Sequence, residues 1–219
     1  MKKLLFWMVL IVGIVALIGS CAKKDDTAAT AAADNTTSTT SYISTTTTAS
    51  GSITMGDDTL SGVYASECLT SASTIAFFVA SGFWASEVNA YGQVFVVTGS
   101  DNISIELYAF TDTSCSNLSQ SQKTVSDNVT FGSASGSNYP VTYNDQTKAL
   151  TVHTTAAETA LETLYSNALD FIVGTPIELP VSGSGLRYGL WTLSGTTWYE
   201  ASSSSATPTS AGTVPHVKQ

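Results

Sequence analysis

The chain has 219 residues, a formal net charge of -9 at pH 7 and a mean hydropathy of +0.16. It carries 8 Lys and Arg against 17 Asp and Glu, so it lacks the basic face that neutralises phosphates and a nucleic-acid partner is excluded. The same acidic balance opposes direct contact with anionic lipid head groups.

The first element is a leader. Lys2 and Lys3 precede an apolar run over residues 4–18, and small residues (Gly19, Ser20) follow it. A basic start, a short apolar stretch and a small-residue site describe a secretory signal peptide over 1–20. The run falls short of the roughly 20 apolar residues that a spanning helix needs. Cys21 stands directly after Ile18, Gly19 and Ser20, which resembles the lipobox of bacterial lipoproteins. The resemblance implies thioether attachment of diacylglycerol to Cys21, cleavage before it and acylation of the new amino terminus. In that family an aspartate after the cysteine retains the protein at the inner membrane. Ala22 stands here, so the resemblance implies the outer membrane.

Residues 21–57 are rich in Ser, Thr and Ala, with few large apolar side chains before Ile53. Such a segment buries too little apolar area to offset the cost of ordering its backbone, so a flexible tether is expected. The Ser/Thr-rich stretch over 201–219 is expected to be a disordered tail.

Between them, residues 58–200 read as one mainly β domain, long enough to bury an adequate core. Strands are expected over 93–97, 103–110, 124–131, 139–143, 149–153, 186–193 and 196–200. The clearest is 103–110, where Ile103, Ile105, Leu107 and Ala109 alternate with Ser104 and Glu106. Gly132 to Gly136, Asn144 with Asp145, and Ser194 with Gly195 supply turns. Short, evenly spaced strands point to an antiparallel barrel, with a β-sandwich as the alternative. One amphipathic helix is expected near 156–170. Thr155 and Glu158 have capping-box spacing, Ala157, Leu161 and Leu164 form a stripe, and Gly174 and Pro176 follow. The segment containing Phe77, Phe78, Phe83 and Trp84 fits an amphipathic strand poorly. Asp127 shares a face with Val125, Val129 and Phe131 by alternation. A bulge turns it outward, or it faces inward to a donor such as Arg187.

With Cys21 lipidated, Cys68 and Cys115 remain, and two cysteines in an exported protein are expected to pair. Gly62, Tyr64 and Cys68, with Tyr108, Asp112 and Cys115, resemble segments of small bacterial lipoproteins. Gly62 with Tyr64 also resembles the Gly-x-Trp opening of the lipocalins, which are barrels closed at one end. The resemblance implies a lipocalin-like barrel, a small apolar ligand, and a late-strand arginine (Arg187) packed over the ring at Tyr64.

Catalytic chemistry finds little footing. His153 is the one histidine before the tail, and no Gly-x-Ser-x-Gly elbow accompanies it, so it reads as a strand residue rather than a base. No Cys, His, Asp or Glu set has metal-ligand spacing, and no cofactor is expected. Gly183 to Gly185 is too short for a dinucleotide fingerprint. Phe78, Trp84, Trp191 and Trp198 are the candidates for lining a pocket mouth, against plain core packing. The sequence therefore describes a non-enzymatic protein held at the cell envelope by its lipid. Its expected role is binding a small apolar molecule or an envelope component. The alternative is a structural or adhesin-like lipoprotein without a ligand pocket.

Overall fold

The computed structural model describes residues 41–181 and 183–219. The leader and Cys21 lie outside the described residues. The chain enters along the outer wall of a barrel and then forms a short hairpin, β1 (Ile53–Met55) with β2 (Asp58–Leu60). Gly56 sits in its turn at φ 63°, and a Cβ there would meet the Tyr139 ring at 2.6 Å. Both the left-handed conformation and the close approach favour glycine.

Then come β3 (Val63–Ala65), the helix α1 (Ala72–Ala80), β4 (Ala90–Val97), β5 (Ile103–Phe110), β6 (Leu118–Phe131) and β7 (Asn138–Val152). The helix α2 (Thr155–Leu164) follows, and β8 (Pro176–Leu179), β9 (Leu186–Ser194), β10 (Thr197–Ser203) and β11 (His216–Lys218) complete the fold. Strands β3 to β7 pair in sequence, β7 pairs with β9, β9 with β10, β10 with β11, and β11 returns to β3, every pairing antiparallel. This is a closed eight-stranded up-and-down barrel, which rules out the sandwich. β8 lies outside the circuit and extends the edge of β7 beyond β9.

Several expectations need correction. The strands expected over 139–143 and 149–153 are one strand, β7. Ser126 faces Asp145 while Val125 faces Thr147, so Gln146 is the extra residue of a bulge where a turn was expected. A second irregularity leaves Asn128 at φ 55° and places Asp127 beside Gln146 Nε2 at 2.8 Å. Asp127 is therefore bulged and does not meet Arg187. Among the described residues there are two helices where one was expected. The Phe77–Phe78 segment is α1, capped by Ser71, which accepts from Thr74 N, and ended at Ser81 and Gly82. α2 is capped one residue earlier than expected, by Thr154, which accepts from Ala157 N at 3.1 Å. It stops at Leu164, where Ser166 and Asn167 take positive φ.

Neither low-complexity flank is a loose tail over the described residues. Residues 41–57 of the expected tether belong to the fold: Ile43, Ile53 and Met55 are buried. Of the expected tail, β10 continues to Ser203, and β11 closes the barrel with His216 buried. Composition undervalued both because their backbone hydrogen bonds come from neighbouring strands: Ile43 N donates to Ser66 O at 3.1 Å and Ser50 N to Val97 O at 2.9 Å.

Side chains fill both ends of the barrel. At one end the β1–β2 hairpin inserts Ile53, Met55 and Leu60 among Tyr64, Phe95, Trp191 and Trp198. At the other, α1 with Trp84 and α2 with Phe171 cover Tyr91, Leu150 and Val152. Each large side chain taken from water contributes about 1.5–3 kcal/mol. Between the ends lies a belt of inward polar residues, Gln93, Thr124, Asp145, Arg187 and Glu200, set by alternation with the core positions of their strands.

Candidate functional site

The cysteine expectation holds: Cys68 and Cys115 form a disulfide with Cα atoms 5.8 Å apart. It joins the chain after β3 to the loop after β5. Closing this loop of 47 residues stabilises the fold by about 4 kcal/mol on the chain-entropy model.

The expected arginine–aromatic pair does not form. Arg187 Nε donates to Asp145 Oδ2 at 2.6 Å, and Ser126 Oγ donates to Asp145 Oδ1 at 2.9 Å. Tyr64 packs edge-on against Trp198 at 5.4 Å, with Lys218 Nζ over its ring at 6.0 Å. Register decides this. Arg187 pairs across from Tyr143 on β7, whereas Lys218 is paired with Tyr64 itself.

The four proposed pocket aromatics are not brought together. Phe78 stacks on Trp84 at 4.2 Å under α1, while Trp191 and Trp198 meet at 4.6 Å in the hairpin-capped core. All four are core side chains. The Trp191 and Trp198 indole N–H groups lack a hydrogen-bond partner among the described residues. His153 Nε2 lies 3.0 Å from Ser121 Oγ, and burial lowers its pKa. Ser121 belongs to the outward-facing row of β6 that includes Lys123. Among the described residues no group of three His, Cys, Asp or Glu could hold a metal, and no helix is long and apolar enough to cross a membrane.

Two carboxylates stand out by their surroundings. Glu106, on the outward face of β5, lies beneath the chain entering along 42–50, and its side chain is 3% exposed. Thr45 Oγ1 and Tyr108 OH each donate to its Oε2 at 2.5 Å, Ser104 donates to Oε1 at 3.2 Å, and Thr47 also donates to Oε1. Lys123 Nζ stands 3.9 Å away. Burial and the adjacent carboxylate push the Tyr108 hydroxyl far above the usual tyrosine range.

Glu200 is the second, and sequence reasoning missed it. It follows Trp198 by two residues on β10, so it turns to the barrel interior, across the ladder from Trp191. That alternation was visible in the sequence. Burial pushes its pKa up to about 7, with the Ser202 hydroxyl opposing. It lines a cavity of about 330 Å³ with Gln93 and the segment 201–214. β11 is so short that it meets β10 only at Thr197 and Trp198, so beyond them the returning loop forms the wall. His216 places its Nδ1 3.3 Å from Trp198 O and its Nε2 3.3 Å from Gln93 Oε1. Burial drops its pKa to about 4, so it is neutral at pH 7.

Fold and covalent chemistry together define a disulfide-stapled, closed up-and-down β-barrel. No family model matches the chain, and no curated protein matches it in sequence.

Proposed function

We propose that the protein is a non-enzymatic binding module, anchored by lipid at the cell envelope through Cys21 and facing the outside of the cytoplasm from the outer membrane. The carrying observation is the placement of Cys21 after a basic, apolar and small-residue leader. The Cys68–Cys115 disulfide supports the reading, because such bonds persist in oxidising compartments. Several acyl chains on one residue give lasting attachment where a single chain does not. The protein's role is binding, either an envelope component or a small molecule. Carriage of an apolar molecule through the mouth has less support, since the hairpin and the helices occupy both ends with side chains.

Cys21→Ser is expected to abolish incorporation of labelled palmitate, block processing before residue 21 and shift the protein out of the membrane fraction. Unchanged labelling and fractionation of the variant would remove the basis of this reading.

A further inference from the structure

We propose that the cavity beneath the 206–214 loop binds a small organic ammonium ion, with Glu200 as its counter-charge and the Gln93 amide oxygen as a second acceptor. This deepens the binding role proposed above by naming a ligand class. Lipid attachment is tested separately by palmitate labelling, so either can fail alone.

The cavity is bounded by Gln93 on β4, Glu200 and Ser202 on β10, and Pro208, Gly212 and Val214 of the returning loop. Its volume of about 330 Å³ sits at the small end of the ligand-site range of about 300–1,000 Å³. The loop is seated closely on β10: a Cβ on Gly212 would fall 1.9 Å from the Glu200 carbonyl oxygen. This loop backbone, rather than a paired strand, walls the cavity.

Glu200 lines that space on the inward face of β10, and among the described residues no Lys, Arg or His forms an ion pair with it. A carboxylate withdrawn from water is costly unless a cation or donors meet it. Glu106 shows what a fully partnered carboxylate looks like in the same molecule, with four hydroxyls and a lysine around it. The interior cations are engaged elsewhere, Arg187 with Asp145 and Lys148 beside that pair. Tyr143 faces Glu200 as a neutral phenol, its pKa raised by burial.

Gln93 supplies the second acceptor through His216. A neutral imidazole has one N–H. Donation from Nδ1 to Trp198 O leaves Nε2 as an acceptor; the atom placed 3.3 Å from it is Gln93 Oε1, two acceptors face to face, so we assign the Gln93 amide the opposite orientation, with its NH2 to the ring. In that orientation the carbonyl oxygen of Gln93, a residue lining the cavity, points away from the ring and is free to accept. One carboxylate and one amide oxygen are too few for Ca²⁺, which takes about 6–8 oxygen ligands. They suit the N–H donors of an ammonium, while Pro208, Ala211 and Val214 accommodate a short alkyl part. Because a cation stabilises the ionised carboxylate, binding strengthens as pH rises through 7.

The test is titration of the purified protein with n-butylammonium, followed by amide chemical shifts of Gln93 and residues 206–214. n-Butanol is the uncharged match. Saturable shifts are expected, with binding about tenfold weaker, or 1.4 kcal/mol, in Glu200→Gln and for n-butanol. Glu178→Gln removes the same charge from the exposed face of β8 and should leave binding unchanged. Absence of shifts, equal binding of n-butanol, or equal binding by Glu200→Gln would each overturn the proposal. An equal loss in Glu178→Gln would also overturn it, by showing attraction to net charge alone. The amide spectrum of each variant reports whether it is folded, independently of binding.

Discussion

Glu106 and Glu200 both sit in a barrel wall, the first buried and facing outward, the second half-buried and facing inward, and their surroundings differ completely. Glu106 is enclosed by four hydroxyl donors and approached by Lys123, so its charge fastens the incoming chain to β5. Glu200 has Ser202 nearby and a cavity in front of it, and its proton is held up to about pH 7. A satisfied buried carboxylate belongs to the architecture. An open one costs stability, and such a cost is typical of sites kept for a ligand. The lesson is that burial alone does not mark a site; the donor census around the buried group does.

The largest test removes the satisfied carboxylate. Glu106→Ala leaves four hydroxyls without their acceptor and is expected to cost about 4 kcal/mol, read as a lower urea midpoint. Hydrogen exchange at Ile43 N and Ser50 N should accelerate with it, because these amides hold the incoming chain. Glu200→Gln acts in the opposite direction. Its folded pKa of about 7 lies above the ordinary glutamate value of 4.5, so the folded state binds more protons between them. Stability through this group is therefore full below about 4.5 and is lost as pH rises through 7. The variant is expected to gain about 3 kcal/mol over the parent above pH 7 and nothing in acid, checked by thermal midpoints across pH. The smallest effect is at Lys123, which is 45% exposed and 3.9 Å from Glu106. Lys123→Met should change the urea midpoint by less than about 1 kcal/mol. A larger loss there would mean that the lysine, rather than the hydroxyls, neutralises Glu106.

Legibility followed the range of the interactions. The 103–110 strand was readable because its alternation records one buried and one contrasting face, and β5 has those bounds. The Cys68–Cys115 bond followed from cysteine count and compartment. Asn144 and Asp145 misled, since residues that favour turns also favour bulges, and the difference lies in whether the partner strand continues past them. Phe77 and Phe78 misled in another way. A short helix whose apolar residues surround it carries little periodicity, and Ser71 and Gly82 were its local marks. For the candidate site, the inward direction of Glu200 was legible from Trp198, but the cavity was not, because the loop forming it reads as disordered by composition.

By itself the sequence determined a mainly antiparallel β domain, one helix and the position of the disulfide, along with the leader pattern at Cys21. These depend on residue type and near-neighbour spacing, which act through local geometry. Only the tertiary structure decided that β6 meets β7 and β11 meets β3 to close the barrel, that Arg187 finds Asp145 and not Tyr64, and that Ser/Thr-rich flanks fold onto the wall. Those outcomes depend on strand register and on hydrogen bonds offered by distant segments, and neither is encoded in any short window of the chain.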